Sequence, residues 1–229
     1  MINTLKAFFR DNINNENKLN PISNTLLFLL DFTYYVKCSI ITSINFKGFK
    51  NTRALKNIYK DKGAFVFANG PSLKKVDFKK VNELQKDFGY KIICINSFIS
   101  KFNSKLIPDF YVLSDPCYFG AYLPNKLARQ QVKNDLALIE KYKITIFIPI
   151  QFKDKIDLKT NIYYFNDIEC RRFNKNIIDI TRPRNYLSMT AYKALAIASY
   201  LGFEKIFISG FDNDYFKEIG VDEKNKIFY

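Results

Sequence analysis

The 229-residue chain carries 36 Lys and Arg against 22 Asp and Glu, a formal net charge of +14, and it contains no histidine. Without histidine, its own residues cannot build a His-ligated zinc site, a Ser-His-Asp triad or a Cys-His nucleophile pair. Hydrophobic residues make up 48% of the chain, which is enough for a packed core and excludes disorder throughout. The length fits one large domain, or one domain with an extension.

The positive charge has several compatible explanations. It suits nucleic acid, a membrane surface or an anionic small substrate, and it also suits a solvated lysine-rich surface without any partner. The sequence has no arginine-rich block and no recognisable nucleic-acid motif, so we expect no nucleic-acid partner. The bias towards Lys, Asn, Ile and Phe is also what an AT-rich genome encodes by default.

The four cysteines favour a reduced, cytoplasmic setting. Cys38, Cys94, Cys117 and Cys170 are far apart and form no C-x-x-C pair, which argues against a metal cluster or a redox motif. Cys94 lies in an apolar run and is predicted to be a small core residue. Residues 1–20 lack the apolar stretch and the cleavage site of a secretory signal.

Residues 1–62 are predicted to form a helical extension. The stretch 25–46 is apolar, but Asp31 and Lys37 interrupt it, and its longest uninterrupted apolar run is far shorter than the roughly 20 residues of a spanning helix. Its many Tyr and Phe residues favour packing on the main domain. The alternative is an amphipathic helix on the inner face of the cell membrane. The basic residues that would assist it there are Lys37, Lys47, Lys50 and Arg53.

From residue 63 onwards, apolar runs alternate with helical patterns. The predicted strands cover 64–68, 91–96, 110–113, 144–150, 162–165 and 206–209, and the predicted helices cover 76–88, 127–142 and 187–201. Apolar runs this continuous are typical of strands that are buried on both faces of a parallel sheet. The chain is therefore predicted to be α/β, with a Rossmann-like, doubly wound and mostly parallel sheet over residues 63–229.

Polar residues follow three of the predicted strands. The first strand leads into the turn from Asn69 through Gly70 to Ser72, the second into Asn96, and the third into Ser114 and Asp115. Ligands of doubly wound sheets bind at this edge. Glycine permits close approach to the backbone, and exposed N–H groups ahead of a helix suit a phosphate. Each group is also explained by a turn or a cap, but their shared position favours a ligand site.

Two further segments could bind anions or cations. Arg182 and Arg184, followed by the hydroxyls of Ser188 and Thr190, precede the last long helix. Guanidinium groups beside a helix N-terminus would form an anion site; alternatively the hydroxyls cap the helix and the arginines are solvated. After the last strand, Asp212 and Asp214 could hold a divalent cation on a nucleotide diphosphate, although such residues are also common in loops.

Residues 67–74, 94–96 and 196–212 together resemble the bacterial sialyltransferases of Campylobacter type. They also resemble the wider set of domains named for 6-hydroxymethylpterin diphosphokinase, which occur in surface-polysaccharide gene clusters. The resemblance covers roughly residues 63–215. It implies that the nucleotide of a CMP-sugar is held by Asn69, Gly70, Ser72 and Asn96. It further implies that Ser188 and Thr190 lie at the donor, with Tyr215 at its phosphate.

The chain departs from the sialyltransferase pattern in two places. It has Asp115 before Pro116, where those enzymes have Asn-Pro, and it lacks the His general base that follows the Ser-Gly-x-Asp strand. The chain ends at Tyr229, shortly after that strand. We therefore expect a C-terminally truncated domain, a different base, or an inactive chain.

The leading hypothesis is a glycosyltransferase that moves sialic acid or a related sugar from a nucleotide donor to a surface glycan or a lipid-linked acceptor. No cofactor is expected. Asn69, Ser72, Asn96, Ser114 and Ser188 would contact the donor. Arg182 or Arg184 would offset the phosphate charge, and Asp115 is the best remaining carboxylate for base work.

Two alternatives stay open. The first is a pyrophosphokinase-like enzyme that uses ATP and Mg²⁺, with the metal bound by Asp212 and Asp214 or by Asp115. The second is a truncated nucleotide-binding domain that catalyses nothing.

Overall fold

The computed structural model describes residues 21–99, 106–121, 126–170, 178–186, 188–212, 220–221 and 227–228. The helices are α1 Pro21–Ile44, α2 Lys50–Ala54, α3 Phe78–Phe88, α4 Lys126–Lys141 and α5 Thr190–Leu201. The strands are β1 Gly63–Phe67, β2 Lys91–Ile95, β3 Phe110–Val112, β4 Thr145–Pro149, β5 Ile162–Phe165 and β6 Lys205–Ser209. The two-residue strands β7 Gly220–Val221 and β8 Ile227–Phe228 form a separate antiparallel pair.

Strands β1 to β6 form one sheet in the order β5-β4-β3-β2-β1-β6, and every neighbouring pair is parallel. The chain moves outwards from β1 to β5 and then returns to place β6 on the other side of β1. The strand order therefore reverses between β1 and β6, which makes this junction the topological switch point of the sheet.

Both faces of the sheet are buried over β1 to β4, as the continuous apolar runs predict, but the prediction is wrong for the edge strand β6, where Phe207 and Ile208 are 46% and 56% exposed. On one face, Ala64, Val66 and Val112 pack with the apolar residues of α5. On the other face, Phe65 and Phe67 pack with residues of α3 and α4, such as Val81 and Ile139. Because side chains alternate along a strand, neighbouring residues of β1 serve the two separate cores. The Rossmann-like, doubly wound α/β fold is confirmed.

The predicted elements are confirmed with small shifts of their ends. Helix α3 begins at Phe78 instead of residue 76, because the Asp77 side chain accepts hydrogen bonds from the N–H groups of Lys79 and Lys80 and so caps the helix. Helix α5 ends where Gly202 takes the left-handed conformation, at φ 91°. Cys94 is fully buried, as predicted.

The prediction that the stretch 25–46 packs on the main domain is correct only for part of it, since Cys38 is buried and Thr42 accepts a hydrogen bond from Asn166 after β5. The side chain of Thr52 in α2 is buried and hydrogen bonds to both backbone groups of Tyr164 on β5. Most of α1 is not covered. Over Thr25–Ile44, a stretch of 20 residues with mean hydropathy 1.3, the helix is only 6% buried, and by length and composition it could cross a membrane.

Candidate functional site

The switch point is closed by hydrogen bonds between the segments that follow β1 and β6. The Ser72 hydroxyl donates to Oδ2 of Asp212 over 2.6 Å, and the Ser72 N–H donates to the same oxygen over 2.9 Å. The Ser72 hydroxyl in turn accepts from the Gly210 N–H over 2.9 Å. The two bonds from Ser72 lower the pKa of Asp212. Ser72 is therefore not a helix cap; it ties the two strand ends together.

Two glycines allow this close contact. A Cβ on Gly70 would collide with Oδ2 of Asp212 and come within 2.8 Å of the Gly210 carbonyl oxygen. Gly210 has φ 77°, and a Cβ there would collide with the carbonyl group of Ala68. The space beside the Gly70 Cα is thus occupied by the Asp212 side chain, and the approach of a ligand to the Gly70 backbone stays a prediction.

Asn96 adopts a left-handed backbone conformation, with φ 45°, directly after β2. The buried Tyr111 supports this turn, because its hydroxyl donates to the Asn96 carbonyl oxygen and accepts from the Ile99 N–H. Burial raises the pKa of Tyr111, so the hydroxyl keeps its proton. Strained backbone held in place by a buried partner is often found at functional sites.

Five polar side chains lie along the edge beside the switch point. The Asn96 amide donates to Oγ1 of Thr190 over 3.2 Å, and that oxygen lies 2.7 Å from Oγ of Ser114. The Asn69 amide lies 3.4 Å from Oγ of Ser97. The side-chain oxygens of Asn69 and Asn96 are buried and accept no hydrogen bond from the described residues. Buried oxygens of this kind are acceptors that a ligand could satisfy.

A buried group of charges lies directly beneath this edge. Lys193, one turn after Thr190 on α5, is 3% exposed; its Nζ lies 2.7 Å from Oδ2 of Asp167 and 3.3 Å from Oγ of Ser114. Burial lowers the pKa of Lys193, while Asp167 opposes this shift. Arg184, which is 6% exposed, binds Oδ1 of Asp167 over 2.9 Å and Glu169 over 3.2 Å.

Lys193 and Asp167 were not predicted from the sequence. The signal for Lys193 was its position as the one charged residue within the apolar run of α5. A charge in such a run is exposed only if it lies on the outer face of the helix, and in α5 the outer face carries Tyr192 and Ser199, while Lys193 is buried. Asp167 had no comparable signal, since it lies in an irregular segment after β5.

The structure brings together many of the predicted site residues. Those at the switch point or its edge are Asn69, Gly70, Ser72, Asn96, Ser114, Thr190 and Asp212. Arg184 lies below them, where it is buried and paired with the carboxylates of Asp167 and Glu169. It is therefore neither solvated nor free to bind phosphate, although the sequence had suggested one or the other.

The remaining predicted residues make no described hydrogen bond to the edge residues, although Asp115 directly follows Ser114 and its charge acts on Lys193. Arg182 is 60% exposed and pairs with Asp179 over 3.7 Å. Asp115 is exposed, and its carboxylate accepts from the Cys117 N–H and caps a turn. Ser188 is exposed, and helix α5 begins after Met189 without a side-chain cap, so the alternative of capping by Ser188 or Thr190 is wrong. Tyr215 and Asp214 lie outside the described residues.

Among the described residues, no three His, Cys, Asp or Glu side chains lie close enough together to hold a metal ion. One oxygen of Asp212 accepts two hydrogen bonds from Ser72, so this carboxylate has a structural task of its own. The pairing of Asp212 with Asp214 as a Mg²⁺ site stays a prediction.

The parallel sheet, the switch point and the polar edge define an α/β protein of the class that binds its ligand at the carboxyl ends of the strands. A family model described as 6-hydroxymethylpterin diphosphokinase MptE-like matches residues 39–218, and the chain belongs to this family. The family is named for a transferase. A search of curated proteins found no match.

Proposed function

We propose that the chain is a transferase that binds a nucleoside-phosphate donor at the edge formed by Asn69, Asn96, Ser114 and Thr190. The observation that carries this proposal is the pair of buried amide oxygens, on Asn69 and Asn96, that accept nothing from the described residues. Nucleosides present several hydroxyl and amino donors that fit such acceptors. A site of this kind lies at the position in the fold where ligands are expected.

The same edge suits the phosphate part of the donor. Helix α5 has twelve residues and begins there with no side-chain cap, so its first N–H groups point towards the polar edge. The hydroxyls of Thr190 and Ser114 add donors, and the buried Lys193 ammonium lies 3.3 Å behind Ser114. This arrangement would stabilise negative charge as a phosphate leaving group departs.

Two reactions use such a donor. The family description supports diphosphate transfer, in which a substrate hydroxyl attacks the β-phosphorus of ATP and AMP leaves. The resemblance of the Asn69 turn to sialyltransferases supports sugar transfer, in which an acceptor hydroxyl attacks the anomeric carbon of a nucleotide-sugar and the nucleotide leaves. In the first reaction Mg²⁺ would neutralise the triphosphate, and Asp212 with Asp214 is the predicted pair of ligands.

The proposal is tested by nucleotide binding before any reaction is assayed. Calorimetric titration of the full chain with CMP, UDP, GDP and ATP, each with and without Mg²⁺, should find at least one nucleotide that binds. Asn96→Gly keeps a residue that tolerates the left-handed turn but removes the amide. The affinity of this variant for the nucleotide should fall roughly tenfold or more, because a buried hydrogen bond to the ligand is lost.

Asn57→Gly is the matched control for this variant. Asn57 is also left-handed, with φ 58°, but it is exposed and its backbone contacts the far end of α5 through Tyr200. It should bind nucleotide like the parent chain. Failure of every nucleotide at millimolar concentration, or equal losses in the two variants, would refute the proposed site.

A second experiment distinguishes the two reactions. The full chain is incubated with ATP, Mg²⁺ and 6-hydroxymethyl-dihydropterin, or with CMP-, UDP- and GDP-sugars, and the released nucleotide is identified. Release of AMP that depends on the pterin supports diphosphate transfer. Release of a nucleotide from a sugar donor supports glycosyl transfer.

A further inference from the structure

Helix α1 exposes an apolar stripe that is interrupted by the exposed Thr33, and the exposed Phe28 and Phe32 lie to one side of it. The stripe consists of Leu26, Leu29, Val36, Ile40 and Ile44, whose side chains are 39–76% exposed. At 100° per residue these positions fall within one quadrant of the helix. An exposed apolar surface of this extent in a soluble setting is costly and usually marks an interaction site.

The opposite face of α1 contacts the domain in the C-terminal half of the helix. Cys38 is 1% exposed, and Oγ1 of Thr42 accepts a hydrogen bond of 2.8 Å from the side chain of the buried Asn166, which follows β5. Cys38 and Thr42 lie on the side of the helix away from Leu29 and Ile40. The helix is therefore oriented, and its stripe faces outwards.

Basic residues flank the stripe. Lys37 is exposed at its edge, Lys47 is exposed in the turn that follows the helix, and Lys50 is exposed at the start of α2. The Arg53 guanidinium lies 3.6 Å from the ring centroid of Phe46, which is 59% exposed and extends the apolar surface. Apolar residues bordered by cations complement an anionic phospholipid surface.

We propose that α1 docks the protein on anionic phospholipid bilayers, lying in the plane of the headgroup layer with its stripe in the acyl boundary. A spanning arrangement would require lipid around the whole helix, whereas the Cys38 and Thr42 face packs on the domain. The proposal is independent of the nucleotide site. Docking of α1 on the membrane would place the nucleotide site of the protein close to a lipid-linked or membrane-borne acceptor.

The test is co-sedimentation of the full chain with vesicles of phosphatidylcholine, with and without phosphatidylglycerol. Binding should be stronger to vesicles that contain phosphatidylglycerol and weaker at high salt. Leu29→Glu should reduce the partition coefficient by roughly tenfold or more, because one Leu side chain leaves the lipid and a charge enters. Lys47→Gln and Lys50→Gln should each reduce it by about fivefold, and only on the anionic vesicles.

Matched controls come from other helices of the same chain. Leu127 on α4 is 82% exposed, and Leu127→Glu should leave vesicle binding unchanged; Lys79→Gln on α3 is the control for charge. Equal binding of Leu29→Glu and the parent would overturn the proposal. The proposal would also be overturned if the parent chain were a dimer in solution and Leu29→Glu converted it to a monomer. Resistance of the bound chain to alkaline carbonate extraction would overturn it as well, because such resistance indicates a spanning helix.

Discussion

Lys193 is the residue on which the charge balance of the candidate site depends. Its ammonium is shared between Oδ2 of Asp167 and Oγ of Ser114, and the other Asp167 oxygen is bound by Arg184. Lys193 thus keeps its ammonium group behind the polar edge and out of water, with its charge balanced by Asp167. Breaking such a buried pair leaves an uncompensated charge, whereas replacing both partners costs far less.

Lys193→Met should lower the free energy of unfolding by about 3 kcal/mol, because Asp167 then keeps only Arg184 as a cation. Urea denaturation measures this loss. The double variant Lys193→Met with Asp167→Asn should lose less than the sum of the two single variants. Additive losses would show that the two side chains do not interact in solution.

The pH dependence of stability gives an independent check on Lys193. Its pKa in the folded chain is lowered from 10.5, so just below that pH the unfolded chain binds more protons than the folded one. This group therefore makes the free energy of unfolding rise with pH towards about 10.5. This rise should be smaller in Lys193→Met. If the free energy of unfolding depended on pH identically in the two proteins, that result would contradict the lowered pKa of Lys193.

At the scale of elements, the junction of β1 and β6 is the structural feature that forms the site. The backbone of Gly70 donates to the Gly210 carbonyl, Ala68 donates to Ser209, and Ser72 adds its bonds to Asp212. These contacts continue the pairing of the strands past their ends. They also hold the Asn69 turn next to the end of β2, where Asn96 lies.

Gly210→Ala should lower the free energy of unfolding by about 3 kcal/mol or more, because the new Cβ collides with the Ala68 carbonyl in addition to straining the backbone. Gly120→Ala is the matched control. Gly120 has a similar φ of 87°, but no atom of the described residues lies within 4 Å of its added Cβ, so only strain of about 1–2 kcal/mol is expected. Urea denaturation compares the two, and equal losses would show that the junction is not tight.

At the scale of the whole molecule, buried tyrosines make the fold sensitive to alkaline pH. Burial is the largest cause of the raised pKa of Tyr111 and of Tyr200, which reaches about 12. An unfolded tyrosine has a pKa of about 10. Above that pH the unfolded chain loses these protons first, so the folded state binds more protons and its stability falls as pH rises.

Tyr200→Phe tests this dependence. Between pH 10 and 12, the free energy of unfolding of this variant should fall less steeply with pH than that of the parent. The difference should be about 1.4 kcal/mol per pH unit, which corresponds to one proton. Chemical denaturation at a series of pH values measures the slope, and absorbance of the phenolate follows the titration. Near pH 8, where tyrosines are protonated in both states, the two proteins should show the same dependence, and a slope unchanged above pH 10 would contradict the prediction.

The strands and the switch-point residues were predictable because each depends on a local pattern. Continuous apolar runs marked all six strands of the sheet, and polar residues directly after them marked Asn69, Asn96 and Ser114. The structural roles of Ser72 and Gly70 at the junction of β1 and β6 were not predictable. Both depend on Asp212, which is 140 residues after Ser72 in the chain and reaches it only when β6 pairs with β1.

The sequence by itself determined the α/β class, the edge of the sheet at which a ligand is expected, and the chemistry that the absence of histidine excludes. Tertiary structure alone decided which polar groups have partners. Asp115 and Arg182, chosen from the sequence, cap a turn or pair at the surface, while Lys193 is buried with Asp167 beneath Ser114. The reason is physical: burial and pairing set the energy of a charge, and both arise from residues that are distant in the chain.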